Sequence, residues 1–147
     1  MVPKSAKTKI TKSGAINIIL YNKRYPNAAS LSLVDFKTKE RYDIIISIST
    51  IEHIGWDEAK KDPKKALLAI KNLMKILKDG GKLILSFPLN YNHFLDEIIK
   101  TKKLPFSSKK ILKKIKGIWV QIPFEEYVRG EEIAEPNKVL FIGEIKN

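Results

Sequence analysis

Apolar residues fall into short runs separated by charged and small-polar stretches, and the spacing within each run predicts its element. The run Ile44–Ile46 inside "YDIIISIS" (Tyr42–Ser49) is continuous, as in a parallel strand covered on both faces. "AINIILY" (Ala15–Tyr21) is a second short β-branched run and reads as a buried strand. "SLSLVDF" alternates and reads as a strand ending at Asp35. Leu67, Ile70, Leu73, Met74 and Leu77 recur at helical spacing behind Asp62-Pro63, an N-cap with proline in the first turn. Asp79-Gly80-Gly81 is expected to stop that helix, and "KLILSFP" (Lys82–Pro88) follows as a strand. Strand, helix and strand from Tyr42 to Pro88 therefore predict a right-handed parallel βαβ unit.

Beyond Pro88 a loop leads to a short helix around Phe94–Ile99. In "SSKKILKKIKG" the serines can cap, and Ile111, Leu112 and Ile115 share a helical face, which predicts a helix ending at Gly117. "GIWVQIPF" and "KVLFIGEIK" read as strands that form an antiparallel hairpin, Trp119–Phe124 with Val139–Ile145, at a sheet edge. Residues 1–14, with four lysines and no acid, read as a basic flexible tail, and 15–147 as one α/β domain.

Composition narrows the function classes. With no cysteine among 147 residues there is neither a disulfide framework nor a thiolate metal site. His53 and His93 are the only histidines, so no metal site is expected. No apolar run is long enough for a membrane span or signal sequence, and the expected location is cytoplasmic. The net charge of +12 can attract nucleic acid or an acidic membrane surface. Only Arg24, Arg41 and Arg129 supply forks, and few aromatics interleave with the lysines, which argues against a reader of nucleic acid.

The most distinctive stretch is "YDIIISISTIEHIGWDE" (Tyr42–Glu58), a strand that ends in adjacent acid and imidazole. Together with the later "LKDGGKLILSFPLNYN" it resembles the C-terminal two-thirds of class I S-adenosylmethionine-dependent methyltransferases, in particular an uncharacterised subgroup carrying "SISTLEHVGWDE". The resemblance runs from about Asn17 onward. It implies an incomplete Rossmann-like methyltransferase sheet, mostly parallel, with a C-terminal antiparallel edge hairpin. In such sheets ligands bind beyond the carboxyl ends of the strands. Glu52 and His53 then follow one strand while Asn90 and Tyr91 follow the next, so that Ser49, Trp56, Asn90 and Tyr91 line a substrate crevice. Glu52 or His53 can orient a substrate hydroxyl or take its proton; the pair can equally cap the following turn, with Trp56 in the core. The implied acceptor is a small molecule or a glycan.

The same resemblance implies S-adenosylmethionine as cofactor, yet the family's glycine-rich turn has no counterpart. Of the seven glycines only Gly80 and Gly81 are close neighbours, and they belong to a later turn. The position for the ribose-binding acid falls near Asn22, and the adenine-contacting position near Ser32 or Asp35. This pattern fits an N-terminally truncated frame. It would leave the free side of the Tyr42–Ser49 strand to be covered by Ala15–Tyr21, by a partner chain or second copy, or by nothing. Three functions are consistent with these residues. One is a methyltransferase-like domain that binds the cofactor weakly or not at all as this chain alone. Another is an active methyltransferase using a remnant site or a partner chain. The third is a basic module that meets an acidic surface through Lys100–Gly117, a stretch with eight lysines and no acid.

Overall fold

The computed structural model describes residues 17–21, 33–35, 37–128 and 138–147. The proposed basic tail lies outside these. Six strands form one sheet: β1 (Asn17–Tyr21), β2 (Tyr42–Ile48), β3 (Leu77–Pro88), β4 (Phe106–Ile115), β5 (Ile118–Ile122) and β6 (Val139–Lys146). Their spatial order is β1-β2-β3-β6-β4-β5. Among the described residues three helices, α1 (Lys64–Lys75), α2 (His93–Lys100) and α3 (Phe124–Val128), follow β2, β3 and β5.

The parallel pairing expected of the βαβ unit is present. β2 and β3 are parallel, with Ile45 opposite Leu83 and Ile48 opposite Ser86. Asp62 Oδ1 accepts from the Lys64 amide at 3.2 Å, which gives one of the orphan N–H groups of α1 a partner. The exit from α1 differs from expectation. The helix ends at Lys75, and β3 begins at Leu77 with Asp79-Gly80-Gly81 inside it. Tyr42 faces Leu77 while Ile44 already faces Lys82, so residues 78–81 bulge out of the ladder. Gly80 has φ +73°, and a Cβ on Gly81 would lie 2.8 Å from the Lys78 carbonyl oxygen and 3.0 Å from that of Tyr42. These glycines shape a bulge rather than cap a helix.

Four further expectations are corrected. The sheet is not mostly parallel: β2 and β3 are its one parallel pair, and β1/β2, β3/β6, β6/β4 and β4/β5 are all antiparallel. The helix expected over 107–117 is strand β4, because backbone pairing to β6 on one side and β5 on the other outweighs a helical spacing of three apolar residues. The expected edge hairpin of β5 with β6 does not form. β6 is inserted between β3 and β4, β5 pairs with β4 instead, and Phe124 opens α3 rather than ending a strand. Of the stretch expected to be a strand ending at Asp35, the described part, Leu33–Asp35, is a turn. Asn72 Nδ2 fastens it to α1, donating to the carbonyls of Leu33 at 3.2 Å and Val34 at 2.8 Å. The free side of β2 is taken by β1, antiparallel, with Asn17 opposite Ile48.

The middle strands bury one face of the sheet. Ile45, Leu83, Leu85, Phe87, Phe141, Ile145 and Ile111 pack there with Ala66, Ala69, Ile70 and Leu73 of α1 and Leu95, Ile98 and Ile99 of α2. A Cβ on Gly143 would come within 2.5 Å of the Phe106 ring and 2.7 Å of the Phe141 ring, so the strand there must be bare to admit both aromatics. The opposite face carries Ile44, Ile46, Ile84 and Ile142, all half-buried rather than enclosed. The continuous apolar run of β2 is thus covered unequally.

Candidate functional site

Because β2 and β3 are parallel, the segments that follow them leave the sheet at one edge. After β2, Ser49 adopts φ +43° and its amide donates to the Ser86 carbonyl at 2.8 Å, turning the chain out of the ladder. A 3-10 turn, Ile51–His53, follows at once. Its amides and those after it close on their own carbonyls, His53 on Thr50 and both Trp56 and Asp57 on His53. Gly55, at φ +70°, brings the loop against the start of α1, where the Asp62 amide donates to the Gly55 carbonyl at 2.8 Å. After β3, Asn90 also takes a left-handed φ of +64°. Non-glycine residues in this region carry strain, and here they turn both loops toward each other.

Two side chains from the second loop reach the first. Asn92 Nδ2 donates to the Glu52 carbonyl at 3.0 Å, while its Oδ1 accepts from the Leu95 amide at 3.3 Å and so caps α2. The Tyr91 hydroxyl lies 2.9 Å from both carboxylate oxygens of Asp57. Asp57 also meets His53 Nδ1 at 2.5 Å. The His53 and Tyr91 rings make an edge contact with centroids 4.9 Å apart. Trp56 does the same with His93 at 6.0 Å, and Lys61 Nζ sits 4.4 Å from the Trp56 ring centre.

Beneath this exposed layer lie two buried carboxyl groups. Glu52 is 1% exposed, and its Oε2 has no hydrogen-bond partner. Its Oε1 lies 3.7 Å from His53 Nε2. Burial raises its pKa from the ordinary 4.5 to about 7, opposed by backbone hydrogen bonding and the nearby imidazole. Asp96 accepts from the Asn90 amide at 3.1 Å through Oδ2, its Oδ1 is unpartnered, and burial raises its pKa to about 6. A carboxyl that titrates near neutrality can give or take a proton at working pH, the property general acid–base chemistry requires.

The structure therefore brings Glu52, His53 and Tyr91 together, with Trp56 against His93 and Lys61, Ser49 at the base of the first loop and the Asn90 amide tied to Asp96. Asp35 is exposed, in the turn packed on α1. Asn22 and Ser32 lie outside the described residues. Sequence reasoning missed Asp57, Asn92 and Asp96. Asp57 carried a signal, standing four residues after His53 in a stretch rich in turn formers. Asn92 had one too, as an Asx residue before the apolar Phe94–Ile99 pattern. Nothing in the local sequence marks Asp96 as buried.

A nucleotide-bearing cofactor needs bare backbone that it can approach closely, which glycines supply. Three glycines face protein: Gly55, whose Cβ would stand 2.0 Å from the Asp62 carbonyl oxygen, Gly81 and Gly143. Gly80 and Gly117 have open space, but one is in the β3 bulge at the far edge and the other in the β4–β5 turn. The described residues thus form no glycine cradle over the crevice. Nor do they hold a group of three or more potential ligands for a metal ion, or a helix long and apolar enough to cross a membrane.

No protein-family model and no curated protein matches the chain. Among solved structures, the N-methyltransferase NodS from Bradyrhizobium japonicum WM9, in complex with S-adenosyl-L-homocysteine, is 16% identical with a TM-score of 0.52. The match covers 81% of this chain and 53% of that one, so the chain spans about half the length of the enzyme it resembles. A second crystal structure of the same methyltransferase aligns at 15% identity with a TM-score of 0.47. The fold is methyltransferase-like.

Proposed function

We propose that this chain is a methyltransferase-like domain whose crevice beyond β2 and β3 receives a small-molecule or glycan acceptor. Glu52 and His53 orient the acceptor or move its proton, with Ser49, Trp56, Asn90 and Tyr91 around it. The observation that carries this reading is the Glu52 carboxyl: buried, with one oxygen unpartnered and a pKa raised to about 7, at the carboxyl end of the one parallel strand pair. Uncompensated burial of a carboxyl is costly, and a purely structural role would more readily be filled by an apolar side chain.

S-Adenosylmethionine enters the proposal through the resemblance of the Tyr42–Glu58 motif and through the methyltransferase-like fold. As this chain alone it binds that cofactor weakly or not at all. Asn22 replaces a ribose-binding acid, Asp35 and Ser32 are the remaining candidates for the adenine, and a glycine cradle is missing from the described residues. Loss of one charge-assisted hydrogen bond, about 1.5–3 kcal/mol, already weakens binding roughly tenfold or more. Calorimetric titration of the protein with S-adenosylmethionine and S-adenosylhomocysteine tests this. Little or no heat is expected; saturable binding at micromolar concentration would instead support the active-enzyme reading, with a remnant site that includes Asp35.

A further inference from the structure

The β4–β5 hairpin is built unlike the rest of the sheet. Lys116 and Gly117 form its two-residue turn, with φ +49° and +85°. Positive φ at both positions matches the tight turn whose twist suits a hairpin. Ile115 pairs with Ile118, Lys114 with Trp119 and Lys113 with Val120. β6 pairs with β4 only as far as Lys113, opposite Val139, so the tip extends past its neighbour. At that tip Ile118 is 68% exposed, Ile115 46%, Trp119 44% and Val120 42%. Four large apolar side chains exposed together on one projection are not explained by packing among the described residues.

The charge carried by the hairpin segment itself is of one sign. From Lys100 to Ile122 there are eight lysines and no acid. Lys116 lies in the turn itself and Lys114 two residues before it, with Lys114 Nζ 5.9 Å from the Trp119 ring centre. Lys114, Lys116, Gly117 and Lys138 line an open cleft of about 460 Å³ beside the turn. β4 runs in the same direction as β3, both being antiparallel to β6, so the tip leaves the sheet at the edge where the Glu52 crevice opens.

We propose that this hairpin docks the protein on an anionic lipid surface. Ile115, Ile118, Trp119 and Val120 enter the headgroup–acyl boundary, Lys113, Lys114 and Lys116 stay among the headgroups, and the lysine-lined cleft receives a headgroup phosphate. Apolar side chains and lysines stand beside one another on this projection, Lys114 opposite Trp119 and Lys113 opposite Val120, so the apolar bodies can enter the boundary while the flexible ammonium groups snorkel back to the headgroups. A nucleic-acid groove would match only the charge, and would leave the isoleucines exposed on the bound protein. Docking in this pose also turns the crevice toward the lipid. The inference stands on the hairpin alone and does not depend on the methyltransferase reading.

The test is co-sedimentation of the full chain with vesicles of phosphatidylcholine and phosphatidylserine in equal parts, beside vesicles of phosphatidylcholine alone. Binding to the mixed vesicles is expected, weakening as salt is added. Lys114→Gln with Lys116→Gln should lower affinity roughly thirtyfold, since each lysine near an anionic surface contributes about a factor of five. Ile118→Ser with Trp119→Ser should lower it by more than about tenfold. These positions are exposed, and an unchanged melting temperature confirms that each variant folds. Lipids brominated in the acyl chain should quench part of the wild-type tryptophan emission, and that part should vanish in Trp119→Phe, which keeps Trp56. Failure to bind mixed vesicles overturns the proposal. So does binding that these substitutions leave unchanged, or capture of a single-stranded oligonucleotide in place of vesicles.

Discussion

The Tyr91 hydroxyl stands 2.9 Å from each carboxylate oxygen of Asp57, and so joins the loop after β3 to the loop after β2. The same carboxylate holds His53 Nδ1, which makes Asp57 the hub of the exposed layer above Glu52. An ionised carboxylate only accepts, so Nδ1 carries the imidazole proton and Nε2 faces Glu52. In Asp57→Ala, nitrogen-resolved NMR of His53 should show the Nδ1-bound proton fraction fall. The stability change should stay within about 1 kcal/mol, because the pair is exposed. An unaltered imidazole spectrum would remove Asp57 as the group that orients His53.

Glu52 sets a pH dependence. Its folded pKa of about 7 lies above the ordinary 4.5, so between those values the folded state keeps a proton that the unfolded state has lost. Stability is therefore greatest below about pH 4.5 as far as this group is concerned, falls as pH rises to about 7, and is level above that. The loss is on the order of 3 kcal/mol. Asp96 adds a fall of the same sign that ends near pH 6. Urea unfolding of Glu52→Gln should show most of the decline between pH 6 and 7 abolished and a higher stability than wild type at pH 8. If the two proteins decline in parallel, Glu52 does not titrate as its burial implies.

Gly55 is the least replaceable residue of the crevice loop. An added Cβ would lie 2.0 Å from the backbone oxygen of Asp62, at a φ of +70° that already disfavours a side chain. Gly55→Ala should cost more than about 4 kcal/mol, read from the shift in urea midpoint. A loss below about 1 kcal/mol would mean that the loop can move away from α1 freely.

Asn92 has two structural tasks at once. Asn92→Ala removes the donor to the Glu52 carbonyl and the cap of α2, and should cost about 1–3 kcal/mol. Asn92→Asp keeps the cap acceptor and loses the donor. Its amide exchange should therefore stay slow at Leu95 and quicken around Glu52, whereas the alanine variant loosens both. Equal behaviour of the two variants would refute the division of roles.

The parts of this architecture that were legible in the sequence are those fixed by local patterning. The Tyr42–Pro88 unit was readable because a continuous β-branched run, an Asp-Pro start and a second apolar run all agreed. Glu52 and His53 were readable as a cluster because they sit directly past a strand end. What escaped depended on pairing between distant segments. Ile111, Leu112 and Ile115 fit a helix by spacing alone, and only β6 and β5 on either side make them a strand. The Lys116-Gly117 pair, flanked by isoleucines, was a hairpin signal that the lysine-rich surroundings concealed. The insertion of β6 between β3 and β4 has no local signature, and the burial of Asp96 depends on how α2 packs.

That insertion orders events in time. β3 and β4 precede β6 in the chain, yet Lys82–Pro88 of one and Phe106–Lys113 of the other both pair with it, and neither strand pairs with the other. Until Val139–Lys146 has left the ribosome, the nascent protein consists of two half-sheets with open facing edges, which invite contact with other chains. Late arrival of the keystone strand makes this a slow, nonlocal closure, and the interval before it is when the protein has most need of a chaperone.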